Sequence, residues 1–161
     1  MFRIVFFVTC ATILESSGKL LKVSRIVGGK DADPNEFPFM ASLQINGRHL
    51  CGGTIINNNT VLTAAHCIEK NMTVVVGTSD LRKDGVRFDV ARTIPHPKFT
   101  NFNYDVALVK IVGFFTFGPK VSQILLNGNR VEKETPCTAY GWGRLNATTS
   151  TSPSLKYIKL R

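Results

Sequence analysis

Two segments of the sequence carry residues able to do proton chemistry. Thr63-Ala64-Ala65-His66-Cys67 sets a histidine among small residues at the end of an apolar run, and Asn103-Tyr104-Asp105-Val106-Ala107-Leu108-Val109 sets one carboxylate at the head of another. An ionised Asp entering an apolar strand is costly unless it is hydrogen-bonded or paired. A histidine that meets such a carboxylate becomes an oriented general base, because the carboxylate selects the ring tautomer and stabilises the imidazolium. Spacing alone leaves the pairing of His66 with Asp105 open. Cys67 could also close a loop to Cys51 across 15 intervening residues, and a disulfide there would contribute about 3 kcal/mol in the chain-entropy estimate.

The elements that must position these groups read as β. Apolar runs of strand length recur at Phe39–Ile45, Thr54–Ile56, Val61–Thr63, Thr73–Val76, Val86–Ile94 and Val106–Val112, and Leu155–Arg161 (LKYIKLR) is strand-like. Asn46-Gly47, Asn57-Asn58-Asn59, Asp84-Gly85 and Asn127-Gly128 supply turn chemistry, and Asn46-Gly47 and Asp84-Gly85 stand between apolar runs as hairpin turns do. No apolar pattern of helical period persists beyond about two turns, and Ala64–Lys70 reads as one helical turn after a strand. Many short strands separated by turns predict an all-β barrel or sandwich. There is no internal repeat or heptad run, and Thr148–Ser154 (TTSTSPS) is a polar loop.

Composition agrees. The 161 residues are 43% apolar and 19% charged, enough to bury the core of one ordinary domain. Met1-Phe2-Arg3, the apolar run Ile4–Leu14 and Glu15-Ser16-Ser17-Gly18 form a signal-peptide pattern ending at Gly18, which predicts secretion. The apolar run is short of the roughly 20 residues that a membrane span needs, so no membrane association is expected. Lys19–Arg25 (KLLKVSR) then forms a basic stub. Removing residues 1–25 takes away Arg3, Lys19, Lys22, Arg25 and Glu15, which lowers the formal charge from +9 to +6. The remaining cations, among them Arg82, Lys83, Arg87, Arg92, Lys98 and Lys110, are scattered rather than gathered on one helix, and no nucleic-acid partner is expected. Cys10 leaves with the signal core, and Cys51, Cys67 and Cys137 remain, an odd number in an oxidising compartment. Asn58, Asn71 and Asn146 head N-glycosylation triplets.

Five segments in order carry a resemblance: Arg25-Ile26-Val27-Gly28-Gly29, Cys51-Gly52-Gly53-Thr54-Ile55-Ile56, Leu62-Thr63-Ala64-Ala65-His66-Cys67, Asp105-Val106-Ala107-Leu108 and Gly141-Trp142-Gly143. Together they resemble the trypsin-like serine proteases of the chymotrypsin fold, peptidase family S1, over Arg25–Arg161. The resemblance implies an antiparallel β-barrel spanning about residues 26–125, with a connecting segment and the start of a second barrel at about 126–161. It implies that His66 is the general base, Asp105 its orienting carboxylate, and Cys51–Cys67 a disulfide beside the base. It also implies a zymogen: residues 1–18 are the signal peptide, 19–25 the activation propeptide, and an activating protease cuts after Arg25 to free the amine of Ile26. Ser42 and His49 match the pair that holds the family's buried Asp before activation, although His49 by itself could be a lone surface histidine.

The family's nucleophile stands in Gly-Asp-Ser-Gly-Gly, and no serine of this sequence has that context. Gly77-Thr78-Ser79-Asp80 is nearest in letters but falls in the first barrel. The expectation is a secreted serine endopeptidase present as an N-terminal portion, inactive by itself because acyl transfer needs a nucleophile. Cys137 would then be unpaired, its partner lying beyond Arg161. The alternatives are a naturally truncated, non-catalytic homologue acting as a binding or decoy protein, and a by-product whose second barrel cannot close its edges. Expected partners are protein or peptide substrates, the activating protease and protease inhibitors. No cofactor or metal is expected: His49, Cys51, His66 and Cys67 lack zinc-ligand spacing, and Thr78 and Ser79 stand where a calcium loop needs acidic ligands. His96 is expected to be a structural loop histidine and Trp142 a core aromatic, while Phe102 could either wall a substrate subsite or pack locally.

Overall fold

A computed structural model describes residues 29–33, 35–83, 85–143 and 151–160. The signal-peptide and propeptide segments, the Arg25–Ile26 cleavage site, Cys10, Asp84 and the sequon at Asn146 lie outside the described residues.

Among the described residues the strands run β1 (Lys30–Asp31), β2 (Met40–Ile45), β3 (Arg48–Asn57), β4 (Thr60–Thr63), β5 (Met72–Val76), β6 (Val86–Pro95), β7 (Ala107–Ile111), β8 (Cys137–Gly141) and β9 (Lys156–Leu160). Asn46 and Gly47 both take positive φ, 50° and 75°, as a two-residue primed turn requires, and they fold β2 back on β3. Asn58 and Asn59 turn β3 into β4. Antiparallel pairing then continues in the order β2-β3-β4-β7-β6-β5, and β5 returns to β2, closing a six-stranded barrel. Closure leaves this sheet without a free edge.

Strand alternation builds the barrel core. In β7, Ala107, Val109 and Ile111 point inward and are buried while Leu108 and Lys110 are partly exposed. Leu43, Ile55, Val61, Val74 and Val109 are all fully buried in the same cluster. Side chains of this kind contribute roughly 1.5 to 3 kcal/mol each on complete burial. Gly53 lets β3 and β4 approach: a Cβ there would lie 2.5 Å from Val61 Cγ1 and 3.2 Å from the Leu62 carbonyl oxygen.

A second, open sheet has the order β1-β9-β8. Its own core joins it to the barrel through Phe39, Met40, Trp142 and Leu155, with Phe37 stacked on Tyr140 at 5.0 Å between ring centroids. Trp142 is buried, as expected of a core aromatic, and its indole N–H donates to the Ser79 carbonyl (3.3 Å). The structure is therefore the all-β chymotrypsin-like architecture expected, with a closed first barrel and part of a second.

Four local details differ from the sequence reading or refine it. β3 begins at Arg48, well before Thr54, because residues 48–53 lack apolar alternation yet pair along β2. β5 ends at Val76 and β6 begins at Val86, a wider separation than the two-residue turn read at Asp84-Gly85, of which Asp84 lies outside the described residues. Two backbone hydrogen bonds tie this connection to the residues that lead into β9: Leu81 N–H donates to the Pro153 carbonyl and Leu155 N–H to that of Ser79. β1, which falls early in the chain, pairs with β9 in the second sheet rather than with the barrel. The helical turn read at Ala64–Lys70 is a single 3-10 turn, Ala65–Cys67.

Candidate active site

The β4–β7 register decides where the chemistry sits. Thr63 pairs with Ala107, so the turn that follows β4 and the residues that precede β7 share one end of the barrel. The first holds His66 and the second Asp105. On the other side of β7, Pro95 pairs with Ala107 and the His96 N–H donates to the Val106 carbonyl (2.9 Å), which closes the 96–106 loop over the same end.

Asp105 grips His66 at two points. Its Oδ1 accepts the His66 backbone N–H (2.9 Å), and its Oδ2 lies 2.6 Å from His66 Nδ1. The Asp105 side chain is 5% exposed and the His66 ring 35%. A buried carboxylate that accepts from Nδ1 places the ring proton there and leaves a lone pair on Nε2, the nitrogen that can take a proton from a neighbour. Charge-assisted bonds of this type are the strong ones, and two of them orient both the backbone and the ring.

Cys67, next to the histidine, is joined to Cys51 on β3 with a Cα–Cα distance of 6.0 Å. Thr63 Oγ1 donates to the Gly52 carbonyl (2.8 Å) beside that bridge. One sulfur lies 3.5 Å from His66 Nε2. Cys51, His66 and Cys67 thus bring three heteroatoms within 4.8 Å, but both sulfurs are consumed in a disulfide and neither is the thiolate that binds a metal.

The 96–106 loop carries aromatic groups to this end of the barrel. The Phe102 ring lies 5.6 Å from the His66 ring at a tilt of 58° and is 47% exposed. His96 stacks on Tyr104 at 4.9 Å, and Lys98 Nζ lies 5.8 Å from the centre of the Tyr104 ring. Asn101, Phe102 and Tyr104 have φ of 45°, 65° and 54°. Such backbone costs bulky residues on the order of 1 to 3 kcal/mol each and is typical of functional sites.

The remaining sequence candidates are dispersed. Ser42 Oγ lies 2.8 Å from His49 Nδ1, and the His49 ring meets Trp142 edge-on at 5.3 Å, so His49 is not a lone surface histidine. Burial lowers its pKa from 6.5 to about 4. Cys137 is a free, half-buried thiol that donates to the Thr135 carbonyl (3.1 Å). Asn58 and Asn71 are exposed. The Ser79 carbonyl is taken up by Trp142 and Leu155 at the junction with the second sheet. Sequence reasoning did not single out Gln44, which is buried and bonded to Ser42 and Arg87. The signal was there, since Ser42 and Gln44 are two polar residues on one face of an otherwise apolar strand.

Comparison with known proteins identifies the family. The family model described as Trypsin matches residues 26–161. Neutrophil elastase of Mus musculus is 39% identical over 142 residues, covering 82% of this chain and 53% of its own length. Granzyme M of Homo sapiens is 35% identical over 128 residues, covering 74% and 50%. The solved structure of neuropsin, a serine protease of mouse brain, superposes with a TM-score of 0.79 at 26% identity, over 83% of this chain and 63% of that one. The chain spans about half the length of the elastase and the granzyme. Among the described residues no helix is long and apolar enough to cross a membrane. With a closed barrel that aims a carboxylate-held histidine from one end, and a family match running from residue 26 to residue 161, the chain belongs to the trypsin family of serine proteases.

Proposed function

We propose that the chain is the base-bearing N-terminal portion of a secreted serine endopeptidase, with His66 as general base and Asp105 as its orienting carboxylate. The two-point grip of Asp105 on His66 is the observation that carries this reading. His66 Nε2 would take the hydroxyl proton of a serine as that oxygen attacks a peptide carbonyl, then return it to the leaving amine; Asp105 stabilises the imidazolium in between. That serine would belong to a Gly-Asp-Ser-Gly-Gly segment in sequence beyond Arg161, together with the cysteine that pairs with Cys137.

Residues 1–18 act as the signal peptide, 19–25 as the propeptide and 26–161 as the partial protease domain. Cleavage after Arg25 by an activating protease frees the Ile26 amine, and before that event Ser42 and His49 hold the Asp that will receive it. The Cys51–Cys67 bridge favours an oxidising, extracellular compartment. The exposure of Asn58 and Asn71 favours glycosylation there, and Asn146 is a third acceptor. Substrates are proteins or peptides, and Phe102 walls the side of the cleft next to His66. Protease inhibitors are the other partners, and no cofactor is used.

A non-catalytic homologue that binds or acts as a decoy is the second reading. It is favoured by one observation: among the described residues Asp105 is the side chain hydrogen-bonded to the His66 ring, and no serine hydroxyl reaches it. Reading the transcript past the Arg161 codon separates the two. An in-frame Gly-Asp-Ser-Gly-Gly supports the protease and a stop codon supports the binder. The extended product, cut after Arg25, should cleave Lys, Arg or aromatic esters. It should lose that activity with His66→Ala, and Asp105→Asn should lower kcat on the order of 10⁴-fold. Turnover by the 161-residue chain alone, abolished by His66→Ala, would show a nucleophile within it and defeat the assignment of its inactivity.

A further inference from the structure

Away from the His66 end, a chain of hydrogen bonds crosses four neighbouring strands. Arg87 on β6 donates from one terminal nitrogen to Thr73 Oγ1 on β5 (2.6 Å) and from the other to Gln44 Oε1 on β2 (2.9 Å). Gln44 Nε2 donates to Ser42 Oγ (3.1 Å), and Ser42 Oγ lies 2.8 Å from Nδ1 of His49 on β3. Ser42 is fully buried and Gln44 nearly so, and among the described residues no buried side-chain polar atom lacks a partner.

The chain has a direction. A guanidinium has donors only, so Gln44 must turn its amide oxygen to Arg87, and its NH₂ is left to face Ser42. The Ser42 oxygen therefore accepts from Gln44. Among the described residues the hydroxyl has one other partner, His49 Nδ1, and its single proton must go there. A nitrogen that accepts that proton carries none of its own. We propose that Arg87 is a positioning residue which, through Gln44 and Ser42, holds His49 as the neutral tautomer protonated on Nε2.

The result is one N–H donor of defined direction on a ring packed edge-on against Trp142, suited to a carboxylate or carbonyl acceptor. Burial disfavours the imidazolium, which agrees with a neutral ring. The tautomer follows from donor and acceptor counting alone, whereas its use to hold the family's Asp before cleavage rests on the function proposed above.

The test is nitrogen-15 NMR of the histidine rings in the full chain at pH 7. His49 should show an unprotonated Nδ1 and a protonated Nε2. Gln44→Glu keeps the size but only accepts, so Arg87 and Ser42 would both donate to it. The Ser42 oxygen then receives from the ring, and His49 Nδ1 should become protonated. Arg87→Met frees the amide to rotate and should produce a mixture of the two forms. A protonated Nδ1 in the parent chain overturns the proposal before any variant is made. An unprotonated Nδ1 that persists in Gln44→Glu overturns the role of the chain in selecting it. His66 reports separately in the same spectrum: protonation there on Nε2 alone would remove the general-base reading and leave the His49 assignment standing. If the extended zymogen is equally silent with His49→Phe, the hold on the Asp falls while the tautomer stands.

Discussion

The low pKa of His49 makes a quantitative claim about acid stability. Burial holds the ring neutral in the folded state, with a pKa lowered from 6.5 to about 4. Between those values the unfolded chain binds a proton that the folded chain does not, so stability rises with pH across this window. The contribution is complete above about pH 6.5 and is lost as pH falls toward 4. One pKa unit corresponds to about 1.4 kcal/mol, so relative to pH 7 the loss reaches about 2 kcal/mol at pH 5 and about 3 kcal/mol at pH 4. Urea unfolding at pH 7, 5 and 4, for the parent chain and for His49→Gln, measures it. Gln can still accept from Ser42 but does not titrate, so the difference between the two profiles isolates His49 from the carboxylates. With a urea slope of roughly 2 kcal/mol per molar, the parent midpoint should fall by about 1 M more than that of the variant between pH 7 and pH 5. Parallel profiles would refute the reasoning, because they would mean that the ring charges as readily in the folded chain as in the unfolded one.

Gly53→Ala should destabilise by about 1 to 3 kcal/mol in the same assay, because the new methyl meets Val61 Cγ1 at 2.5 Å. An unchanged midpoint would mean that β3 and β4 separate without cost. Replacing Cys51 and Cys67 together by Ala should cost about 3 kcal/mol. It should also release the His66 turn, which amide hydrogen exchange of residues 65–68 will show as faster exchange. An unaltered exchange rate would mean that Asp105 holds the turn without help from the bridge.

Much of the barrel was legible because its strands alternate and its turns carry their own chemistry. Asn46-Gly47 announces a primed hairpin, and Val61–Thr63 and Val106–Val112 bury alternate side chains whatever their neighbours. The parts that were not legible owe their structure to pairing. β8 is built on Cys-Thr-Ala-Tyr-Gly, which has no clear pattern, and it is a strand because β9 lies beside it. The first residues of β3 are the same case against β2. The β5–β6 connection bonds to residues 153–155, contacts that nothing in its own local sequence announces.

The candidate site divides the same way. Residue type and spacing single out His66 and Asp105, since a histidine among small residues and a carboxylate heading an apolar strand are each unusual by themselves. They lie 39 positions apart, however, and nothing local brings them together. The register of Thr63 on Ala107 does so. Arg87 shows the limit most clearly. In the sequence it is one of several scattered cations, while in the fold its guanidinium reaches across β5 to an amide 43 residues away. Local sequence determined which residues could bond, because that is a matter of donors, acceptors and apolar periodicity. Barrel closure decided which of them meet, because only tertiary pairing can bring distant strands within hydrogen-bond reach.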